Sequence, residues 1–170
     1  MKNAANTGMV LTNSATFEVA VGARPVYGPE EAIRIPVTAK YLQGEPVRGT
    51  RVHWHFEGHP AGFKPAGWDA FQFCAVDGSL QQFGLAPTSV SDDGTERPAA
   101  GTNLVVSLDF KNAGGPAPQP FNAALVAEVS DPNDLTVTKT AEFVRHSSDF
   151  YLGFRWRDGE EALLARQPGP

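Results

Sequence analysis

Ala32-Ile33-Arg34-Ile35-Pro36-Val37-Thr38-Ala39-Lys40-Tyr41 and, one turn later, Arg51-Val52-His53-Trp54-His55-Phe56 are the stretches that decide the fold. In the first, Ile33, Ile35, Val37, Ala39 and Tyr41 alternate with Arg34, Thr38 and Lys40. Successive side chains of an extended chain point to opposite faces, so a period of two with one apolar set predicts a half-buried strand. In the second, Val52, Trp54 and Phe56 share a face, and the wide Trp54 ring suits the centre of a core between two sheets. Gln43-Gly44-Glu45-Pro46-Val47-Arg48-Gly49 joins them as a turn, with glycines able to take positive φ. Pro36 has no N–H to give to a ladder, which predicts an edge strand or a bulge at that point.

Working outward, the same period recurs. Phe17, Val19 and Val21 align in Thr16-Phe17-Glu18-Val19-Ala20-Val21, and Leu104, Val106, Leu108 and Phe110 align in 103–110. Phe121, Ala123, Leu125, Ala127 and Val129 form a third such set. Residues 135–146 read as a long strand rich in β-branched residues. Turn residues separate these runs, most clearly Ser130-Asp131-Pro132-Asn133-Asp134. Residues 24–29 suit a loop. The stretch 58–100 is long and irregular, interrupted by the strand-like Ala70-Phe71-Gln72-Phe73, and Ser89-Val90-Ser91-Asp92-Asp93-Gly94-Thr95 has the form of a hairpin turn around Asp93-Gly94. Only 159–167 has the pattern of a short helix.

About seven strands without a convincing amphipathic helix between them predict an all-β, antiparallel β-sandwich of immunoglobulin or fibronectin type III type. Tyr41, Trp54, Leu125, Val129 and Val144 are its expected core residues. The chain divides into a lead-in over 1–14, the sandwich over 15–148, and a tail, or the start of a following domain, over 149–170.

A chain of 170 residues with 41% hydrophobic and 19% charged residues can bury a core without staples. The net charge of −5, with basic residues spread over separate strands, gives no basic face and argues against nucleic acid as a partner. Cys74 is the single cysteine, which excludes a disulfide within the chain; its apolar neighbours suit a small buried residue. The first residues lack the apolar region of a secretory signal, and no window approaches a membrane span.

The sharpest chemical feature is a set of histidines. His53 and His55, two apart on a strand, share a face, a geometry that zinc pairs use. His59 follows in a Glu-Gly-His-Pro turn, and a further ligand would have to come from there or from distant His146. Outward polar residues on a half-exposed strand explain the pair equally well, and an H-x-H alone does not specify a site. His53, His55 and His59 are therefore the candidate ligands, but no metal and no cofactor is expected. The chain has no glycine-rich phosphate cradle and no G-x-S-x-G elbow, so it is expected not to be an enzyme.

Three segments in order resemble the macroglobulin-like domains of bacterial alpha-2-macroglobulins. They are 39–54, with Tyr41, then Gly44-Glu45-Pro46-Val47-Arg48-Gly49 before a strand bearing Trp54; 62–73, with Phe63-Lys64-Pro65, Trp68 and Phe71-Gln72-Phe73; and 127–154, with Val129-Ser130-Asp131, His146 and Tyr151-Leu152-Gly153. The resemblance implies one scaffold domain of a longer protein that traps proteases in the periplasm or cell envelope. Its partners would be neighbouring macroglobulin-like domains of the same chain, and proteases only through the whole protein. The reactive thioester of that family lies in a Gly-Cys-x-Glu-Gln motif, which Phe73-Cys74-Ala75-Val76 does not match, so that role is not carried over. Phe150, Tyr151, Phe154 and Trp156 would then either fold back on the sandwich or stand as an exposed apolar edge, a candidate interaction surface. Two other readings compete: a free-standing adhesion or ligand-binding sandwich that uses 58–100, and a metal-dependent hydrolase on His53 and His55.

Overall fold

The computed structural model describes residues 16–73, 88–99, 101–110 and 119–155. Among them the chain forms ten strands: β1 (Phe17–Val21), β2 (Val26–Tyr27), β3 (Ile33–Tyr41), β4 (Arg51–Pro60), β5 (Gln72–Phe73), β6 (Val90–Glu96), β7 (Asn103–Leu108), β8 (Phe121–Ser130), β9 (Thr136–Arg145) and β10 (Gly153–Phe154). Three of these are two-residue pieces, which leaves seven strands of sandwich length. Sheet order is β1-β3-β7 on one side and β2-β9-β8-β4-β6 on the other, with β10-β5 as a separate pair. The architecture is an unclosed all-β sandwich, antiparallel except that β2 runs parallel to β9.

The alternation read from the sequence becomes the core. Phe17 and Val19 of β1, Ile33, Ile35, Val37 and Ala39 of β3, and Leu104, Val106 and Leu108 of β7 face inward from the smaller sheet. Val52, Trp54 and Phe56 of β4, the apolar set of β8 from Phe121 to Val129, and Phe143 of β9 face them from the larger sheet. Tyr41 is half-buried at the margin of this core. A fully buried Val, Leu or Phe contributes about 1.5–3 kcal/mol of burial free energy, so this layer outweighs any single polar contact in the chain.

Polar groups drawn into the interior are paired. Thr102 donates its hydroxyl to the Val47 carbonyl at 3.0 Å and lies 2.9 Å from the Thr50 hydroxyl. Asp131 organises the turn between β8 and β9, its carboxylate accepting from the backbone N–H groups of Asn133 and Leu135 at 2.9 Å. One exception is the Trp54 indole N–H, which is buried without a hydrogen-bond partner.

Besides the expected turn at Glu57-Gly58-His59-Pro60, which is instead the end of β4 in unbroken register with β8, four expectations change. Pro36 lies on neither an edge nor a bulge: β3 is the middle strand of its sheet, in unbroken register with β7. The reason is local. Gly22 N–H donates to the Pro36 carbonyl at 2.8 Å just past the end of β1, so the missing Pro36 donor faces the point where pairing stops. Second, residues 90–96 are strand β6 and not a hairpin turn; Gly94 stands opposite Trp54 in register. A Cβ on Gly94 would come within 2.6 Å of the indole, so this glycine is there to let the Trp54 ring lie across β6. Third, the loop at 24–29 contains β2, whose Tyr27 is buried and meets Phe143 edge-on at 5.1 Å. Fourth, Val144 is half-buried on the outer face beside Val26, and Phe143 occupies the core position instead. A strand with β-branched residues on both faces offers no alternation to choose between them.

Candidate functional site

Beyond the sandwich, a second apolar assembly forms where residues 61–73 meet residues 146–155. Ala61 N–H donates to the Pro120 carbonyl at 2.8 Å, which ties the start of this segment to the entrance of β8. A turn closed by Trp68 N–H to Pro65 O and Phe71 N–H to Trp68 O then brings Phe63, Trp68, Phe71 and Phe73 together. Phe63 stacks on Tyr151 at 4.5 Å and meets Phe73 edge-on at 5.4 Å. Trp68 packs edge-on against Phe71 at 4.9 Å. Offset and edge-to-face pairs of this kind add about 0.5–1.5 kcal/mol each beyond their buried area.

Tyr151 locks the tail into this cluster. Its hydroxyl accepts the Ser147 backbone N–H at 3.2 Å and lies 3.2 Å from His146 Nδ1. Next in the chain, β10 pairs with β5, placing Gly153 against the face of Phe73; a Cβ there would stand 2.4 Å from the ring. Arg155 lies over the Phe71 ring at 5.4 Å. Pro65, Trp68, Phe71, Phe73, Tyr151 and Gly153 surround a shallow hollow of about 300 Å³.

The cluster buries only part of its apolar surface. Trp68 (51% exposed), Phe150 (69%), Leu152 (81%) and Phe154 (50%) account for four of the seven large apolar side chains that stand in solvent among the described residues. Isolated exposed apolar residues are ordinary, but Phe150, Leu152 and Phe154, three within five residues, make this segment a candidate contact surface. Of the tail residues singled out from the sequence, Tyr151 is half-buried within the cluster, and Phe150 and Phe154 are exposed. Trp156 and Cys74 lie outside the described residues. Sequence reading missed Phe63 as the partner of Tyr151 and missed Leu152 and Trp68 as exposed; the close spacing of four aromatics in 63–73 was the available signal.

The histidines occupy a different place, the outer face of β4. His53 Nδ1 lies 3.0 Å from the Thr95 hydroxyl and His59 Nδ1 lies 2.9 Å from the Ser89 hydroxyl. Between them Glu57 bridges two rings, its carboxylate 2.9 Å from His55 Nε2 and 3.5 Å from His59 Nε2. Hydrogen bonds from His55 first and His59 second hold the Glu57 carboxyl below the usual carboxylate range. His146 instead packs beside Phe63 and Tyr151. No group of three metal-ligating side chains is assembled among the described residues. The row is an exposed polar network in which Glu57, not read as important from sequence, holds the central position.

Over 82% of its length the chain superposes on the native conformation of Escherichia coli alpha-2-macroglobulin, with a TM-score of 0.60 and 17% identity. The fold is that of one domain of a bacterial alpha-2-macroglobulin. The trypsin-activated Escherichia coli protein matches 79% of the chain at a TM-score of 0.60 and 15% identity. The Salmonella protein reacted with methylamine matches 79% at 0.58 and 20% identity. The chain spans 8–9% of the length of these three alpha-2-macroglobulin chains, as one domain among others would. No protein-family model matches the sequence, and no curated protein matches it by sequence alone. In this macroglobulin-like fold the cluster around Tyr151 sits where the chain leaves the sandwich, after β9.

Proposed function

We propose that this chain is a non-catalytic scaffold domain of a longer alpha-2-macroglobulin-like protein, one that traps proteases at the cell envelope or in the periplasm. The single observation that carries this is coverage: about four-fifths of this chain corresponds to less than a tenth of each of those larger chains. The exposed aromatic group at the exit from the sandwich agrees with it. Trp68, Phe150, Leu152 and Phe154 would be costly to leave in water and suit burial against an adjoining macroglobulin-like domain. Under this proposal the domain transmits and positions, and the protease meets it only in the context of the whole protein.

Two experiments test it. Purified chain added to trypsin should leave cleavage of a protein substrate unchanged; stoichiometric inhibition by the chain alone would contradict a scaffold role. The surrounding coding sequence should hold a Gly-Cys-x-Glu-Gln motif downstream and a secretion signal upstream, and a stand-alone reading frame would overturn the proposal.

A further inference from the structure

At the end of the sandwich where β3 begins and β7 and β9 finish, a groove of about 550 Å³ opens between Pro29, Glu30, Ile33, Arg34, Ser107, Leu108, Phe110 and Arg145. Its volume lies in the range of small-ligand sites. Arg145 is the last residue of β9, and its side chain enters the groove from the core side, opposite buried Phe121 in register. One guanidinium nitrogen donates to the Pro29 carbonyl at 2.6 Å, and the guanidinium carbon stands 5.0 Å from the centre of the Phe110 ring. Of these two partners, the carbonyl takes one of the group's five N–H donors. No carboxylate forms an ion pair with it among the described residues, although the group is half-buried. Burial pushes its pKa down, partly offset by Glu30 and then Tyr151. Arg34, exposed on the rim, also makes no ion pair among the described residues. A half-buried guanidinium lining a groove and held by one backbone carbonyl is an arrangement suited to recognising a planar anion.

The other charges narrow the anion. Glu30, Glu31 and Asp109 line the same groove. Arg24 pairs with Glu31, which also accepts from Gly28 N–H, so that carboxylate is partly neutralised. Glu30 nevertheless places negative charge beside the guanidinium, leaving little net positive charge to offset the greater desolvation cost of a dianion. Ile33, Leu108 and Phe110 are buried and supply an apolar wall beside the guanidinium. We propose that this groove is a binding site for a single carboxylate carried on an apolar or aliphatic stem, the group that a peptide offers at its C-terminus or at a Glu side chain, with Arg145 as the recognition residue and Arg34 as a rim contact.

The test is NMR titration of the isotopically labelled chain, following the Arg145 Nε–Hε signal and the methyl groups of Ile33 and Leu108. The probes are N-acetyl-leucine, its amide, N-acetyl-glutamate α-amide and inorganic phosphate. The free acid of leucine or the glutamate derivative should produce saturable shifts, and whichever binds more tightly identifies the C-terminal or side-chain source. The leucine amide should not, since it lacks the charge and keeps the stem. Arg145→Gln should weaken binding by about tenfold or more, as loss of a charge-assisted pair does, and Arg34→Gln by a few-fold. Equal shifts with acid and amide, tighter binding of phosphate than of either carboxylate, no saturable shift with either acid, or undiminished binding to Arg145→Gln would each overturn the proposal. The acid–amide comparison uses the unaltered chain, so it stands even if Arg145→Gln loosens the Pro29 contact.

Discussion

Phe56 and Phe63 lie a short way apart in the chain, and each is surrounded by aromatic rings, yet they belong to different kinds of assembly. Phe56 is 1% exposed, meets Phe110 edge-on at 5.1 Å, stacks with Phe143 at 6.3 Å, and is enclosed by two sheets. Phe63 has equally good partners in Tyr151 and Phe73, but its cluster is held by a two-residue strand pair and keeps Trp68, Phe150 and Leu152 in solvent. Good ring geometry therefore does not distinguish a core from a docking surface. What distinguishes them is closure: long ladders surround the first, while the second is covered on one side only.

If that difference is real, the two regions should respond to truncation on different scales. The largest effect is expected from Leu125→Ala, which empties a fully buried site between the sheets and should cost about 2–5 kcal/mol, measured as a drop in the urea midpoint. Gly94→Ala comes next. Its methyl would lie 2.6 Å from the Trp54 indole, so either the ring or β6 must shift, at about 1–3 kcal/mol and with a changed near-ultraviolet circular dichroism signal. Phe63→Ala should be smaller in global stability, about 0.5–1.5 kcal/mol for the lost ring pair, while hydrogen exchange at Gly153 and Phe154 speeds markedly. A Phe63→Ala loss equal to that of Leu125→Ala would mean that both regions are one cooperative core.

The smallest effect concerns the outer face of β4. Because the folded-state pKa of Glu57 is depressed, its contribution is present above the ordinary value of 4.5 and is lost as pH falls through the lower folded value. Wild type and Glu57→Gln should therefore differ slightly in urea midpoint above that pH and converge in stronger acid. Exposure and salt screening keep this difference small. A gap that widens on acidification would contradict the His55–Glu57–His59 network.

The sandwich was legible because β3, β4, β7 and β8 each carry one apolar and one polar face, and that period survives any detail of packing. Gly94 misled because Asp-Gly is also a turn pair; only the width of Trp54, which reaches across to β6, requires a glycine inside a strand. Pro36 misled for a related reason, since the sequence does not show that β1 stops opposite it. Phe143 and Val144 were ambiguous because Thr136, Thr138, Thr140 and Val144 make one face of β9 β-branched while Val137, Ala141 and Phe143 make the other apolar. The aromatic residues of the tail were visible as such, but their pairing with Phe63 and Phe73 joins distant parts of the chain and leaves no periodic trace. The Arg145 groove is likewise a product of three strand ends meeting, with no local motif.

The most direct measurement of the central claim is hydroxyl-radical footprinting of this chain alone and of the longer protein proposed to contain it, read by mass spectrometry. Trp68, Phe150 and Leu152 should label strongly in the isolated chain and be protected in the longer protein, while Leu42 and Val105, exposed away from the cluster, label alike in both. Equal labelling of Trp68, Phe150 and Leu152 in the two would contradict a domain that docks through its exit cluster.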